Sequence, residues 1–134
     1  MFKTILIPLD GSSLAEAALE HGEVLARKFN SRIILLRVCT AAAQVDPVSG
    51  LDSRQIYLEE VAKGLRESSL EVETRLQKGD PGRVIIEVAE STEIDLVILS
   101  SHGRTGLARW VYGSVAEKIL HEARCPMMLI RAQS

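Results

Sequence analysis

The chain has 134 residues, with 16 Lys plus Arg against 18 Asp plus Glu and a formal net charge of −2. That length supports one hydrophobic core, so residues 1–134 are expected to form a single domain. The charge balance lacks the basic excess that draws nucleic acid or an anionic membrane, and no apolar run approaches the ~20 residues of a membrane-spanning helix.

The N-terminus runs at once into KTILIPL (3–9), a near-continuous apolar run that predicts a strand covered on both faces. It leaves no room for a signal peptide, and the cytoplasm is the expected location. Pro8 cannot donate a ladder hydrogen bond, so pairing is expected to end there. Asp10-Gly11-Ser12-Ser13 reads as a turn, and Ser13 with Glu16 as a capping box opening a helix that ends near Asn30. Leu14, Ala18, Leu25 and Phe29 form its expected buried stripe. RIILLRV (32–38) predicts a second strand, and residues 39–50 a loop or lid containing Pro47 and Gly50. A helix over about 52–68, capped by Asp52 or Ser53, turns Leu58, Val61, Ala62 and Leu65 inward. LEVETRLQ (70–77) alternates in polarity, as an edge strand with one wetter face does. Asp80 as N-cap and Pro81 as first residue start a third helix that buries Val84, Ile85, Val88 and Ala89. Strand four is expected at 95–99, helix four near 114–123 and strand five at 126–131. Cys39 and Cys125 have neither CxxC nor Cys/His spacing and read as reduced thiols.

The alternation of strand and helix predicts an α/β fold: a parallel sheet with right-handed crossovers. Strand orders 3-2-1-4-5 and 2-1-3-4-5 both fit. The first is preferred because it brings Asp10 and the stretch Ser100–Ser114, SSHGRTGLARWVYGS, to one crevice at the carboxyl ends of strands one and four. That stretch is a strand-to-helix connection of about fourteen residues, where roughly two to six usually suffice. Gly103 and Gly113 stand near its ends with Gly106 between, and Gly113-Ser114 opens a helix whose free N–H groups favour an anion. The pattern reads as a phosphate cradle. Ser114 and Glu117 also form a capping box, which gives Ser114 a purely structural role as the alternative. Asp10 suits ribose hydroxyls or a divalent ion carried by a nucleotide, or it merely holds an Asx turn with Ser12. His102 and Arg104 lie where they could meet a phosphate, but loop residues of these types more often serve only the loop. His21, His102 and His121 form no set, and no nucleophile–base pair stands out. GxxxxGK[ST], GxGxxG after the first strand and GxSxG are all absent.

These residues resemble the universal stress protein family from end to end. The resemblance is carried by ILIPLDGS, GDPGRVIIEVA, DLVILSSHGRTGLARWVYGSVAEKIL and CPMMLIR. Its ATP-binding members carry Gly-x2-Gly-x9-Gly-Ser/Thr; here Gly103, Gly113 and Ser114 fill the last three places and Ser100 stands in the first. The resemblance implies a five-stranded parallel sheet of order 3-2-1-4-5 with helices on both faces, Rossmann-like and similar to the adenine nucleotide alpha hydrolases. It implies ATP or AMP across strands one and four, accompanied by Mg2+ or Mn2+ near Asp10. Asp10 would lie near the ribose or metal and the backbone around Val38 near the adenine, while residues 103–106 (with Gly103, Arg104 and Gly106) and 113–115 (Gly113, Ser114 and Val115) would hold the phosphates. Pro8, Leu9, Ser12, Ser100 and His102 complete the expected nucleotide-binding set. The side chain at Ser100 is expected to weaken binding without abolishing it. Met127, Met128, Leu129 and Ile130 of strand five would form a homodimer by edge pairing, in keeping with the hazard of an exposed apolar edge. The leading expectation is a nucleotide-dependent stress sensor or switch with at most slow hydrolysis and an unknown protein partner. The alternatives are an interaction module of the same family that binds no nucleotide, and an enzyme of the related superfamily. For the enzyme, the SGGxDS and HIGH motifs are missing.

Overall fold

The computed structural model describes residues 1–11, 15–40, 45–91, 93–102 and 117–132. Nine elements alternate along them: β1 (Thr4–Pro8), α1 (Ala17–Phe29), β2 (Arg32–Cys39), α2 (Ser53–Arg66), β3 (Glu71–Lys78), α3 (Pro81–Ala89), β4 (Leu96–His102), α4 (Glu117–Glu122) and β5 (Met127–Ala132). The strands form one sheet of order β3-β2-β1-β4-β5 in which every pairing is parallel. This is the preferred strand order, and β3 lies at an edge as its alternating sequence predicts.

Strand residues alternate between two cores, because successive side chains leave opposite faces. Ile5, Ile7, Ile33, Leu35 and Ile98 pack with Ala18 and Ala26 of α1 and Leu58, Ala62 and Leu65 of α2. Leu6, Ile34, Leu36, Val97 and Leu99 pack with Val84, Ile85, Val88 and Ala89 of α3 and Ile119 of α4. Each fully buried Ile or Leu contributes roughly 1.5–3 kcal/mol. Thus α1 and α2 cover one face and α3 and α4 the other. The gap between the two layers opens above β1 and β4, where the strand order reverses.

Caps and turns agree with the sequence in several places. Pro8 ends β1, and the next amide, Leu9 N–H, donates to Leu36 O at 2.8 Å. Asn30 closes α1 in the left-handed region, Asp52 caps α2 by accepting from Arg54 N–H, and Asp80 caps α3 by accepting from Arg83 N–H with Pro81 following. Within the 39–50 segment, Cys39 completes β2, Asp46 accepts from the amides of Val48 and Ser49, and Val45 bridges to Asp52. Cys39 and Cys125 are both free thiols. No helix among the described residues is long and apolar enough to cross a membrane.

Three expectations are corrected. First, α1 begins at Ala17, and the Glu16 carboxylate accepts from the Tyr57 hydroxyl at 2.6 Å. Ser13 and Leu14 lie outside the described residues. Second, the buried line of α1 is Ala18, Gly22 and Ala26, while Leu25 is only partly buried and Phe29 is exposed, edge-on to Phe2. Small residues win because the helix lies close on the sheet: a Cβ at Gly22 would stand 2.5 Å from Ile7 Cδ1. Third, β4 continues through Ser100 and Ser101 to His102, so the connection after it begins later than expected. Pairing with Ile130, Arg131 and Ala132 of β5 extends the strand into polar residues.

Candidate functional site

At the carboxyl ends of β1, β2 and β4 lies a cleft of about 80 Å³. Pro8, Leu9 and Asp10 enter it from the end of β1, Leu36 and Val38 from β2, and Leu99 and Ser100 from β4. Pro81 and Ile85, from the first turns of α3, wall it on one side, and Ala15 borders it on the other. Of the residues expected at a nucleotide, Pro8, Leu9, Asp10, Val38 and Ser100 are therefore brought together from three strands. His102 ends β4 opposite Ala132. Ser12, Gly103, Arg104, Gly106, Gly113, Ser114 and Val115 lie outside the described residues, and the phosphate cradle with them.

The turn after β1 is shaped by its neighbours. Gly11 adopts φ +89°, a conformation that L side chains rarely take, and the Arg37 guanidinium lies where its Cβ would be, at 2.9–3.0 Å. Arg37 itself rests over the Tyr57 ring, 5.4 Å from the centroid. Burial, then the hydrogen bond to Glu16, push the Tyr57 phenol well above its ordinary range, with the charge of Glu16 adding to them and that of Arg37 opposing. A neutral Tyr57 thus links α2 to the entry of α1 beside the residue that follows Asp10.

Ser100 is 6% exposed, and its hydroxyl donates to the Ala15 carbonyl at 3.1 Å. The bond joins the end of β4 to the entry of α1, across the side of the cleft that faces α1. The Ser100 hydroxyl is thereby bonded to the protein's own backbone.

Sequence reasoning missed Ala15, Leu36, Pro81, Ile85 and Leu99 as cleft residues. Leu36 and Leu99 each stand three residues before the end of their strand and were read only as buried strand residues. Pro81 and Ile85 were read only as a helix start and a core position, since nothing local reports that this helix end leans over β2. Chemically the cleft offers an apolar wall and two polar groups at one margin, the form of a site that takes a flat apolar ring joined to a hydroxylated or charged group.

Comparison with known proteins agrees with this architecture. The model of the universal stress protein family matches residues 1–131. Universal stress protein MJ0531 of Methanocaldococcus jannaschii is 30% identical over 98% of this chain and 83% of its own length. Three solved structures share the fold. A universal stress protein in complex with cAMP has a TM-score of 0.77 at 18% identity, covering 98% of each chain. The Arabidopsis thaliana family protein At3g01520 with AMP bound has a TM-score of 0.70 at 22% identity, covering 97% of this chain and 92% of its own. The Archaeoglobus fulgidus universal stress protein in complex with dAMP has a TM-score of 0.70 at 16% identity, covering 97% of this chain and 98% of its own. With the family model spanning all but the last residues and the sheet in the implied order, the chain belongs to the universal stress protein family.

Proposed function

We propose that this protein binds an adenine nucleotide, ATP or AMP, in the cleft above β1 and β4 and serves as a sensor or switch in a stress response. The observation that carries the reading is the convergence of Asp10, Val38 and Ser100, from three strands, on one apolar-walled cleft at the reversal of strand order. The cAMP, AMP and dAMP in the solved relatives support adenine nucleotides as the ligand class. Leu36, Val38, Pro81, Ile85 and Leu99 suit an adenine ring, and Asp10 suits ribose hydroxyls. Among the described residues no group of three or more His, Cys, Asp or Glu is placed to hold a metal, so Mg2+ or Mn2+ would arrive with the phosphates and pass near Asp10.

The proposed role is that of a binder with little or no hydrolysis rather than an enzyme. The same reading makes the protein a homodimer through β5, whose outer side has no strand neighbour among the described residues. Met127, Met128 and Ile130 are partly buried against their own protomer's cores, and Leu129 is 38% exposed.

Isothermal titration with AMP and with ATP plus Mg2+ tests the nucleotide reading. Micromolar binding is expected, weakened about tenfold in Asp10→Ala by loss of a charged hydrogen-bond acceptor. Absence of binding at millimolar nucleotide overturns it and leaves the interaction module as the better account.

A further inference from the structure

We infer that Ser100 sets the hydrogen-bond polarity of the cleft at the end of β4, so that it meets the ligand as an acceptor and selects a ribose hydroxyl over a phosphate oxygen. The inference rests on the adenine-nucleotide reading of the same cleft and goes beyond it by assigning one wall residue a choice.

The argument is one of counting protons. A serine hydroxyl has a single hydrogen and two lone pairs. A carbonyl oxygen can only accept, so the contact between Ser100 Oγ and Ala15 O, 3.1 Å long, consumes that hydrogen. Ser100 is 6% exposed and lines the cleft, so what its hydroxyl has left for a ligand is lone pairs. An anionic phosphate oxygen placed there would face lone pairs without a proton between them, whereas a ligand O–H would complete the bond. Asp10, an acceptor when ionised, borders the same cleft from the end of β1, and β1 pairs directly with β4. Asp10 and Ser100, acceptors on one cleft, suit the hydroxyls of a ribose, while the apolar wall from β2 and α3 takes the base. Phosphates are then directed away from Ser100.

The test is a set of affinities, measured by isothermal titration on the full chain, for AMP, 2′-deoxy-AMP, 3′-deoxy-AMP and ATP, with wild type, Ser100→Ala and Ser100→Gly. Both variants are expected to bind AMP and ATP about fivefold more weakly than wild type, by the same factor for each. For one of the two deoxy analogues, the one lacking the hydroxyl that Ser100 meets, the loss should fall within about twofold. A merely structural role for the Ala15 bridge would weaken all three monophosphates alike, and that result overturns the inference. A loss that grows from AMP to ATP overturns it too, because it places phosphate against the hydroxyl. A gain in affinity in both variants does the same by making the side chain an obstruction. If wild type binds none of the nucleotides, the adenine-nucleotide reading fails and takes this inference with it; if wild type binds and the sugar pattern is absent, only the inference falls.

Discussion

Replacing Gly79 with alanine tests the coupling of the fold to the cleft. Gly79 links β3 to α3, with φ +140° and its N–H donating to Cys39 O at 3.0 Å. A Cβ at this position would stand 2.7 Å from Val84 Cγ2 and 3.1 Å from an Arg83 guanidinium nitrogen. Arg83 can swing into water, but Val84 is 3% exposed and locked in the core beneath α3. The backbone conformation costs a side-chain-bearing residue about 1–3 kcal/mol, and overpacking a filled core costs a similar amount. Gly79→Ala should therefore destabilise by about 3 kcal/mol. An unfolding entropy of about 2.1 cal/mol/K per residue gives roughly 0.28 kcal/mol per degree for this chain, so Tm should fall by about 10 °C. Gly64→Ala is the control: Gly64 lies inside α2 with nothing within 4 Å of its added Cβ, so the exchange should gain about 0.8 kcal/mol of helix propensity and raise Tm by about 3 °C. Circular dichroism melts at one protein concentration measure both. Because Pro81 and Ile85 wall the cleft, Gly79→Ala should also weaken AMP binding, and Gly64→Ala should not. A Gly79→Ala melt within 2 °C of wild type (about 0.6 kcal/mol) would refute the reasoning, since Val84 could not then be packed against that turn.

Two further outcomes follow from the sheet edges. Arg32, Glu73, Arg75 and Glu93 close a ring of ion pairs over β2 and β3: Arg32 reaches Glu73 and Glu93 at 2.9 Å each, and Arg75 reaches Glu93 at 2.7 Å and also Glu73. Hydrogen bonds from Arg75, ahead of the other causes, hold the carboxyls of Glu73 and Glu93 below the ordinary value of 4.5. A depressed folded-state pKa means that the contribution is complete above that ordinary value and lost as pH falls through the lowered one. With the two glutamates 40% and 37% exposed, the gain is screened to below about 1 kcal/mol each. Glu73→Gln should lower Tm by up to about 3 °C at pH 7, with the gap closing toward pH 3; a gap that persists at pH 3 refutes the assignment. At the opposite edge, Leu129→Lys should convert the proposed β5 dimer to monomer in light scattering, and a wild-type monomer at tens of micromolar would end that proposal.

Where the fold was readable, two-sided burial made it so. Ile5–Ile7, Ile33–Leu36 and Val97–Ile98 are almost wholly inaccessible, and such unbroken apolar runs announce a sheet covered on both faces. Asp80-Pro81 announced α3 because cap and first residue act within one turn of backbone. At the entry to α1 the chemistry is not local: the Glu16 carboxylate accepts from Tyr57, 41 residues away. Hydrophobicity also misdirects within α1. It ranks leucine and phenylalanine above glycine, whereas contact with Ile7 is set by how close the backbone comes, and only Gly22 fits there.

The candidate site divides along the same line. Asp10 was legible because it ends a strand at a place that topology makes a crevice, whatever its side chain does. Ser100 was read as the start of a loop, where a serine has its proton free, whereas in β4 its hydroxyl donates to Ala15 O. The extension of β4 to His102 puts Ser100 in register with Ile130 and turns its hydroxyl toward Ala15. That one hydrogen bond changes what the residue can recognise while leaving its place in the cleft untouched. A motif written in residue types therefore locates this cleft, but the partner of each polar hydrogen decides what each wall can meet.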